Sequence, residues 1–308
     1  EVRCRTCSQA NLHPRLHELD RRFCDCFFIE KLSVHEPNVA DSGNSSQPSL
    51  DGRRSEVHNS LMATLKELCR RLDVLLQPTT PLQDYCPNGL QVEGNPEVMR
   101  CATAVSASLE VIERAIRQEV QALIVHHGLF WKGEPQPIIG VRRGKLKRLL
   151  DHGISLIAYH LPLDAHPELG NNFAAAEALG WHHLKPFGGI GVQGTVGPFS
   201  RKDFARSLEI YYRHPVVEAP GGPETIQTAA LISGGAYRQL GEAAASGLDA
   251  FVTGNFDEPA WHQAFEEKIN FFALGHFATE RIGPQALATH IERNWDLPCT
   301  FLDENNPF

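Results

Sequence analysis

An α/β fold of two similar halves, each with a mainly parallel sheet, is predicted by three observations. Short apolar runs of strand length, such as Ala122–Val125 and Ile154–Tyr159, alternate with amphipathic helical stretches, the pattern of βαβ units. The unit recurs: 20 positions separate Ser106 from His126 and 21 separate Ser233 from Gly254, which suggests a weak internal repeat. Metal-ligand side chains stand where strands end, and open α/β sheets bind ligands beyond the carboxyl ends of their strands.

Taken in order, residues 1–61 differ from the rest. They show no sustained period, and Asp41–Asp51 is rich in Ser, Asn, Gly and Pro, a composition that buries too little apolar surface to offset ordering entropy. Cys4-x-x-Cys7 and Cys24-x-Cys26 have spacings that zinc tolerates, but no hairpin signal surrounds them, so disorder is the preferred reading. The first residue is Glu1. The expectation is that the native chain starts at Met62 and that 1–61 is a misassigned extension. Residues 62–185 form the first α/β domain and 186–308 the second, whose C-terminal segment has the option of packing back on the first.

Leu61, Leu65, Leu68, Leu72 and Leu75/Leu76 recur at helical spacing until Pro78 and Pro81 end the helix. Asp84–Gly94 is turn-rich around a short strand. Cys101–Val105 reads as a strand, and Ser108 as the N-cap of a helix to about Gln118, with Leu109, Ile112, Ala115 and Ile116 on one face. The strand ending in His126-His127 follows, with Gly128 permitting the turn beyond it. Then come a basic helix over Arg142–Asp151, a strand over Ile154–Tyr159 and a helix over Asn171–Leu179. Gly188–Phe199 is strand-like. Gly189–Gly194 formally matches a dinucleotide fingerprint, but no helix start follows it, so that reading is rejected. A helix over Arg201–Tyr211 precedes the second unit: strand Thr228–Ile232, turn Ser233-Gly234-Gly235, a helix to Ser246, strand Ala250–Val252. Phe271–Leu274, a helix over Pro284–Asn294 and a strand near Cys299–Leu302 close the chain.

Composition narrows the function. The formal charge of −8 argues against a strongly nucleic-acid-binding surface, though a local basic patch stays open. No run of 18 apolar residues exists, so no membrane span is expected, and the absence of a targeting signal points to the cytoplasm. Of fifteen histidines, several sit beside glycine or a carboxylate.

Three strand ends carry ligand-type groups: His126 with His127, His160 with Asp164, and His276 with Glu280. The histidine pair alone reads equally as one packed and one solvated residue. His276 and Glu280 share a face if their stretch is helical; if Thr279 caps a helix instead, only the fold can align them. Three histidines and two carboxylates suffice for two divalent ions sharing a bridging carboxylate. Imidazole and carboxylate suit Zn, Fe, Mn or Ni, and a set without cysteine speaks against structural zinc.

His126-His127-Gly128-Leu129-Phe130-Trp131, Tyr159–His166 and Gly275–Arg281 resemble the signatures of the Nif-three-like family, also labelled GTP cyclohydrolase I type 2 homologues or dinuclear metal centre hexameric proteins. Asp84–Gly94 and Gly170-Asn171-Asn172 resemble its short bacterial branch, and the likeness runs from about Met62 to Phe308. The resemblance implies His126, His127, Asp164, His276 and Glu280 as metal ligands with Glu280 bridging two ions per chain. It also implies a toroidal homohexamer of two-domain subunits. This chain carries Asn255 where many members have an acid after Thr-Gly; if that acid is a catalytic base in those members, this chain lacks it. Glu258 is a substitute if the loop allows it, with His262 one turn further on. His160 is a candidate catalytic or orienting residue, and His166 is expected at the surface.

Metal-assisted hydrolysis of a small heterocyclic or phosphorylated substrate is therefore the leading expectation, GTP cyclohydrolase-like by resemblance. The alternative is a non-catalytic metal-dependent regulator, metal carrier or nucleic-acid-binding ring. Gly234-Gly235 could cradle a phosphate but reads better as a tight turn, and Arg142–Arg148 reads as a solvated face before an anion-attracting one.

Overall fold

Two sheets carry the architecture, and in each the parallel strands are those the apolar runs foretell. The structure, a computed structural model, describes residues 63–78 and 81–308. The expectations for 1–61, including the paired cysteines and a start at Met62, lie outside these residues.

The first sheet runs β13-β4-β5-β6-β2, with β4 (Cys101–Ser106), β5 (Ala122–His127), β6 (Ser155–Ala158) and β13 (Cys299–Phe301) parallel and β2 (Gly89–Val92) antiparallel against β6. A two-stranded ribbon pairs β1 (Ala63–Thr64) with β3 (Glu97–Val98). Burial on both faces makes the central strands near-continuous apolar runs. Leu123, Val125 and Leu156 pack with α2 (Leu109–Arg117) and α3 (Gly140–Asp151). Ile124 and Ile157 point the other way, onto α1 (Leu65–Leu75) and α10 (Ile282–Trp295). Thr64 caps α1 through Glu67 N and Ser108 caps α2 through Val111 N, which satisfies an otherwise orphaned amide in each. On α2 the buried face is Val111, Ile112 and Ala115. Leu109 points outward, because the helix begins one residue after its cap and turns that position to solvent.

The second sheet runs β7-β8-β10-β11-β12-β9. Its centre, β10 (Thr225–Ile232), β11 (Ala250–Thr253) and β12 (Asn270–Ala273), is parallel. β7 (His182–Phe187), β8 (Gly191–Ser200) and β9 (Val217–Pro220) are antiparallel, so this sheet is more mixed than the sequence pattern implies. The reason is local: Gly188-Gly189-Ile190 is a hairpin turn between β7 and β8, and a strand, not a helix, follows the glycines. That disposes of the dinucleotide fingerprint. Phe251, Phe271 and Leu240 form the core under α7 (Leu240–Ala245) and α8 (Glu258–Glu266). On the other side, Phe204 of α6 (Arg201–Tyr212) meets Phe272 edge to face at 5.3 Å.

Two short helices, α4 (Leu161–Asp164) and α9 (His276–Glu280), follow strand ends, and α5 (Phe173–Ala178) lies between β6 and β7. After α9 the chain leaves the second sheet. α10 packs on β4, and β13 pairs with β4, so residues 282–301 belong to the first sheet. All described residues lie in one compact unit, and among them no helix is long and apolar enough to cross a membrane.

Candidate metal centre

The ends of β5 and β6 face the ends of β10, β11 and β12, and the ligand-type side chains meet there. His126 and His127 close β5 with ring centroids 4.6 Å apart. Gly128 has no left-handed backbone. It is glycine because a Cβ there would lie 2.2 Å from the Gln91 amide, which accepts from Leu129 N at 2.9 Å and fixes the loop. The turn is set by this packing, where the sequence suggests backbone freedom.

Glu280 is the hub. It is 4% exposed. Its Oε1 lies 3.1 Å from His276 Nε2 and 3.5 Å from His126 Nε2, and its Oε2 lies 3.2 Å from His127 Nε2. Asp164 Oδ2 lies 3.5 Å from His126 Nε2. His276 and Glu280 share α9, so the helical alternative holds for this stretch. Thr279 sits within it, accepting from Gly234 N at 3.0 Å, and caps nothing.

Each imidazole is anchored through its other nitrogen. His126 Nδ1 donates to Tyr159 O at 3.2 Å, His276 Nδ1 lies 3.1 Å from Asn255 Oδ1, and His127 Nδ1 lies 3.0 Å from Ser106 Oγ. With Nδ1 so engaged, Nε2 is the nitrogen turned to the centre, the arrangement that metal-ligating histidines need. Asp164 Oδ1 accepts from Asn171 Nδ2 at 2.8 Å and Ser233 Oγ at 3.0 Å, which leaves Oδ2 facing inward.

His126 Nε2 and Glu280 Oε2 are buried and make no hydrogen bond. A buried polar atom without a hydrogen bond costs about 1–3 kcal/mol. Arg142 Nε, Tyr212 OH and Arg281 Nε share that state elsewhere, and these two differ from them in facing other ligand-type atoms at 3.2–3.5 Å. Three sets of ligand atoms lie within 4.8 Å of one another: His126, His127 and His160; His127, His276 and Glu280; and His126, Asp164 and Glu280. Convergent Nε2 lone pairs and carboxylate oxygens fit a divalent cation.

The metal-free electrostatics point the same way. Burial disfavours the His126 imidazolium, but Asp164 and Glu280 outweigh it and hold its pKa at about 9. Burial and the His126 cation depress His127 to about 3. Burial would raise the Glu280 carboxyl, yet His126, His276 and His127 hold it well below the usual carboxylate range. Asp164, with one facing imidazole, is raised by burial. A cluster that keeps a proton among its own ligands has a place for positive charge.

Beside the cluster, His160 Nδ1 lies 2.7 Å from Asp84 Oδ1. Asp84 also accepts from Cys86 N, Asn88 Nδ2 and Leu161 N, each at 3.0 Å. Burial would raise the Asp84 carboxyl, but the bonds from His160, the Cys86 amide and Asn88 take it well below its ordinary value. A depressed folded pKa means the Asp84 contribution to stability is present above 3.8 and is lost as pH falls below it.

The structure brings together His126, His127, Asp164, His276 and Glu280, with His160 at their side. It does not bring Glu258. That side chain is 80% exposed at the start of α8, which Asp257 caps, and pairs with the exposed His262 at 3.7 Å. His166 is half-buried, bonded to Leu75 O through Nε2 and accepting from Glu168 N and Leu169 N, so its surface expectation is corrected to a structural role. Gly234-Gly235 is a turn pinned to β11, with Gly234 O accepting from Gly254 N and Asn255 N. In the basic helix, Lys147 pairs with Asp151 and Arg148 with Glu113. Sequence reading named Asp84, Asn171, Ser233 and Ser106 but gave them no part in the site. The signal available for Asn171 was a run of amides that burial would otherwise penalise.

The Duf34/NIF3 family profile (NGG1p interacting factor 3) matches residues 63–307. The chain belongs to the Duf34/NIF3 family. A family relative from Chlamydia pneumoniae, named GTP cyclohydrolase 1 type 2 homolog, is 51% identical over 249 residues, 79% of this chain and 98% of the relative. Among solved structures, protein ybgI, described as of unknown function, is 39% identical with a TM-score of 0.77, covering 80% of this chain and all of that one. A second solved family structure, from Thermus thermophilus, is 38% identical with a TM-score of 0.74 and the same coverage.

Asn255 takes on a definite part. Replacing it with Leu removes the acceptor that orients His276, and divalent-metal affinity is expected to fall about 10- to 100-fold with the fold intact. Competition with a chromophoric chelator measures this. An unchanged affinity would show that His276 needs no such partner.

Proposed function

We propose that this protein is a metal-dependent hydrolase with a centre of two divalent ions, held by His126, His127, Asp164, His276 and Glu280, and with Glu280 as the shared ligand. The observation that carries this reading is the pair of buried, unbonded atoms, His126 Nε2 and Glu280 Oε2, at the focus of five ligand side chains. The relatives' name, GTP cyclohydrolase 1 type 2 homolog, agrees with hydrolysis of a heterocycle. Divalent ions in such a centre supply Lewis acidity and acidify water.

The chain's own residues do the rest. Tyr159 O, Asn255 and Ser106 hold the three imidazoles at their Nδ1 atoms, so the ligands need no reorganisation during reaction. Asn171 and Ser233 do the same for Asp164. His160 moves the proton. Asp84 fixes its Nδ1 and stabilises the imidazolium, and Nε2 is left free to take a proton from water and return it to the leaving atom.

Elemental analysis of protein exposed to Zn or Mn tests the centre, and chelator-sensitive turnover tests the reaction class. Asp84→Asn should keep its metal and lose turnover by about 100-fold or more, since the amide no longer supports the imidazolium. Equal turnover in Asp84→Asn would remove His160 from the mechanism. Full metal occupancy without turnover on any heterocycle or phosphoester would favour a non-catalytic binding role.

A further inference from the structure

The cavity above the metal cluster has a character that the GTP label does not anticipate. It measures about 740 Å³, within the usual range for small-molecule sites, and its floor is His127, His160, Asp164, His276 and Glu280. One wall is aromatic. Trp131 stands edge-on to His160 with centroids 5.1 Å apart, and Tyr85 lies beside it. These two are held together, because Lys132 N donates to Tyr85 O at 2.7 Å. The indole N–H of Trp131 already donates to Gly128 O at 3.3 Å, so the ring offers the cavity only apolar surface. The opposite wall is Ile190, Ile232 and Ala236.

Polar groups above the floor are few and neutral, chiefly Gln83 and Gln239. Among the described residues no Lys or Arg lines this cavity. Lys132 and Arg142 line a separate cleft of about 430 Å³ behind Tyr85 and Trp131, in company with Asp84 and Glu134. Arg142 is engaged there, donating to Pro135 O at 2.7 Å and lying 4.7 Å over the Phe130 ring. Phosphate recognition draws on Arg and Lys forks or on backbone N–H cradles. Of the two glycine turns at the lining, Gly188-Gly189 leads into a strand and Gly234-Gly235 precedes a helix of only six residues.

We infer that the cavity takes a flat, uncharged heterocycle bearing a ring amide, laid against Trp131 with its carbonyl toward the metal cluster, and not a nucleoside triphosphate. This rests on the hydrolase reading above and names its substrate class. Hydrolysis of such a ring adds one water across a C–N bond: a C–O bond forms at the carbonyl carbon, the C–N bond breaks, and the nitrogen leaves with a proton. The amide side chains of Gln83 and Gln239 can both donate to and accept from a neutral ring edge. A triphosphate would find no Lys or Arg among the lining residues to pair with its charges along the walls.

The test compares ligands that share a ring and differ in charge. The full chain is loaded with Mn and titrated by calorimetry with guanosine, GTP and hydantoin, and metal content is measured after each titration. Guanosine or hydantoin is expected to bind at least tenfold more tightly than GTP. Trp131→Ala should weaken that binding at least tenfold with metal content unchanged, and Trp131→Phe should restore most of it. Tighter binding of GTP, binding of neither neutral ring, or indifference to Trp131→Ala at full metal content would each overturn the inference and leave the metal-centre reading standing. Failure to load metal would overturn that reading, and this one with it.

Discussion

Glu280→Gln is expected to empty the centre. The parent carboxylate faces three imidazole Nε2 atoms at 3.1, 3.2 and 3.5 Å, where Asp164 faces one. The amide keeps the shape but loses the charge and replaces one acceptor with a donor. Divalent-metal affinity should fall by more than about 100-fold, beyond what loss of an orienting partner produces. The metal-free protein should survive. The His126 proton, held by Asp164 and Glu280, can leave when its partner is neutralised, so no charge is stranded. A stability loss of about 1–3 kcal/mol in chelator is the expected scale. Elemental analysis with far-UV circular dichroism measures both, and parental metal content in a folded Glu280→Gln protein would refute the hub assignment.

Gly234→Ala is expected to be nearly as damaging, although Gly234 supplies no ligand side chain. Its φ is +67°, and an added Cβ would lie 2.2 Å from Glu280 Oε1 and 3.3 Å from His276 Nε2. The left-handed conformation alone costs an alanine about 1–2 kcal/mol. The turn cannot yield, since Gly234 N donates to Thr279 and its carbonyl accepts from Gly254 N and Asn255 N. The carboxylate must move instead. Gly247 supplies the control: its φ is +71° and nothing lies within 4 Å of the Cβ position. Gly247→Ala should show the conformational cost with unaltered metal affinity, and Gly234→Ala should lose both stability and about 100-fold in affinity. Denaturant melts and chelator competition on the two variants separate the effects. Equal affinities would mean that Glu280 does not depend on the close approach.

The sequence reading reached the fold class and singled out side chains that the structure brings together, for a shared reason. Two-sided burial turns parallel strands into apolar runs, and such strands end where the backbone meets solvent. His126, Asp164 and His276 stand at or just past those ends and are legible in a linear string. The hairpin Phe187–Gly191 and the edge strand Val217–Pro220 were not, because antiparallel edges carry weaker patterns that depend on pairing partners far along the chain. Asp84 was hidden for a related reason. It lies 76 positions from His160, and only the antiparallel pairing of β2 with β6 brings its loop to that histidine. Glu258 misled because helical spacing to His262 is visible in sequence, whereas the direction in which the helix faces is not.

The return of the chain to the first sheet after Glu280 gives the centre a topological meaning. The ligand positions run from His126 to Glu280, and an ion held among them closes a loop of about 150 residues, comparable in reach to a long-range disulfide. The loop contains every strand of the second sheet. An ion bound there would act as a reversible cross-link between the two sheets. Such a linkage makes the melting temperature a readout of free metal concentration, each tenfold excess over the dissociation constant adding about 1.4 kcal/mol of stability.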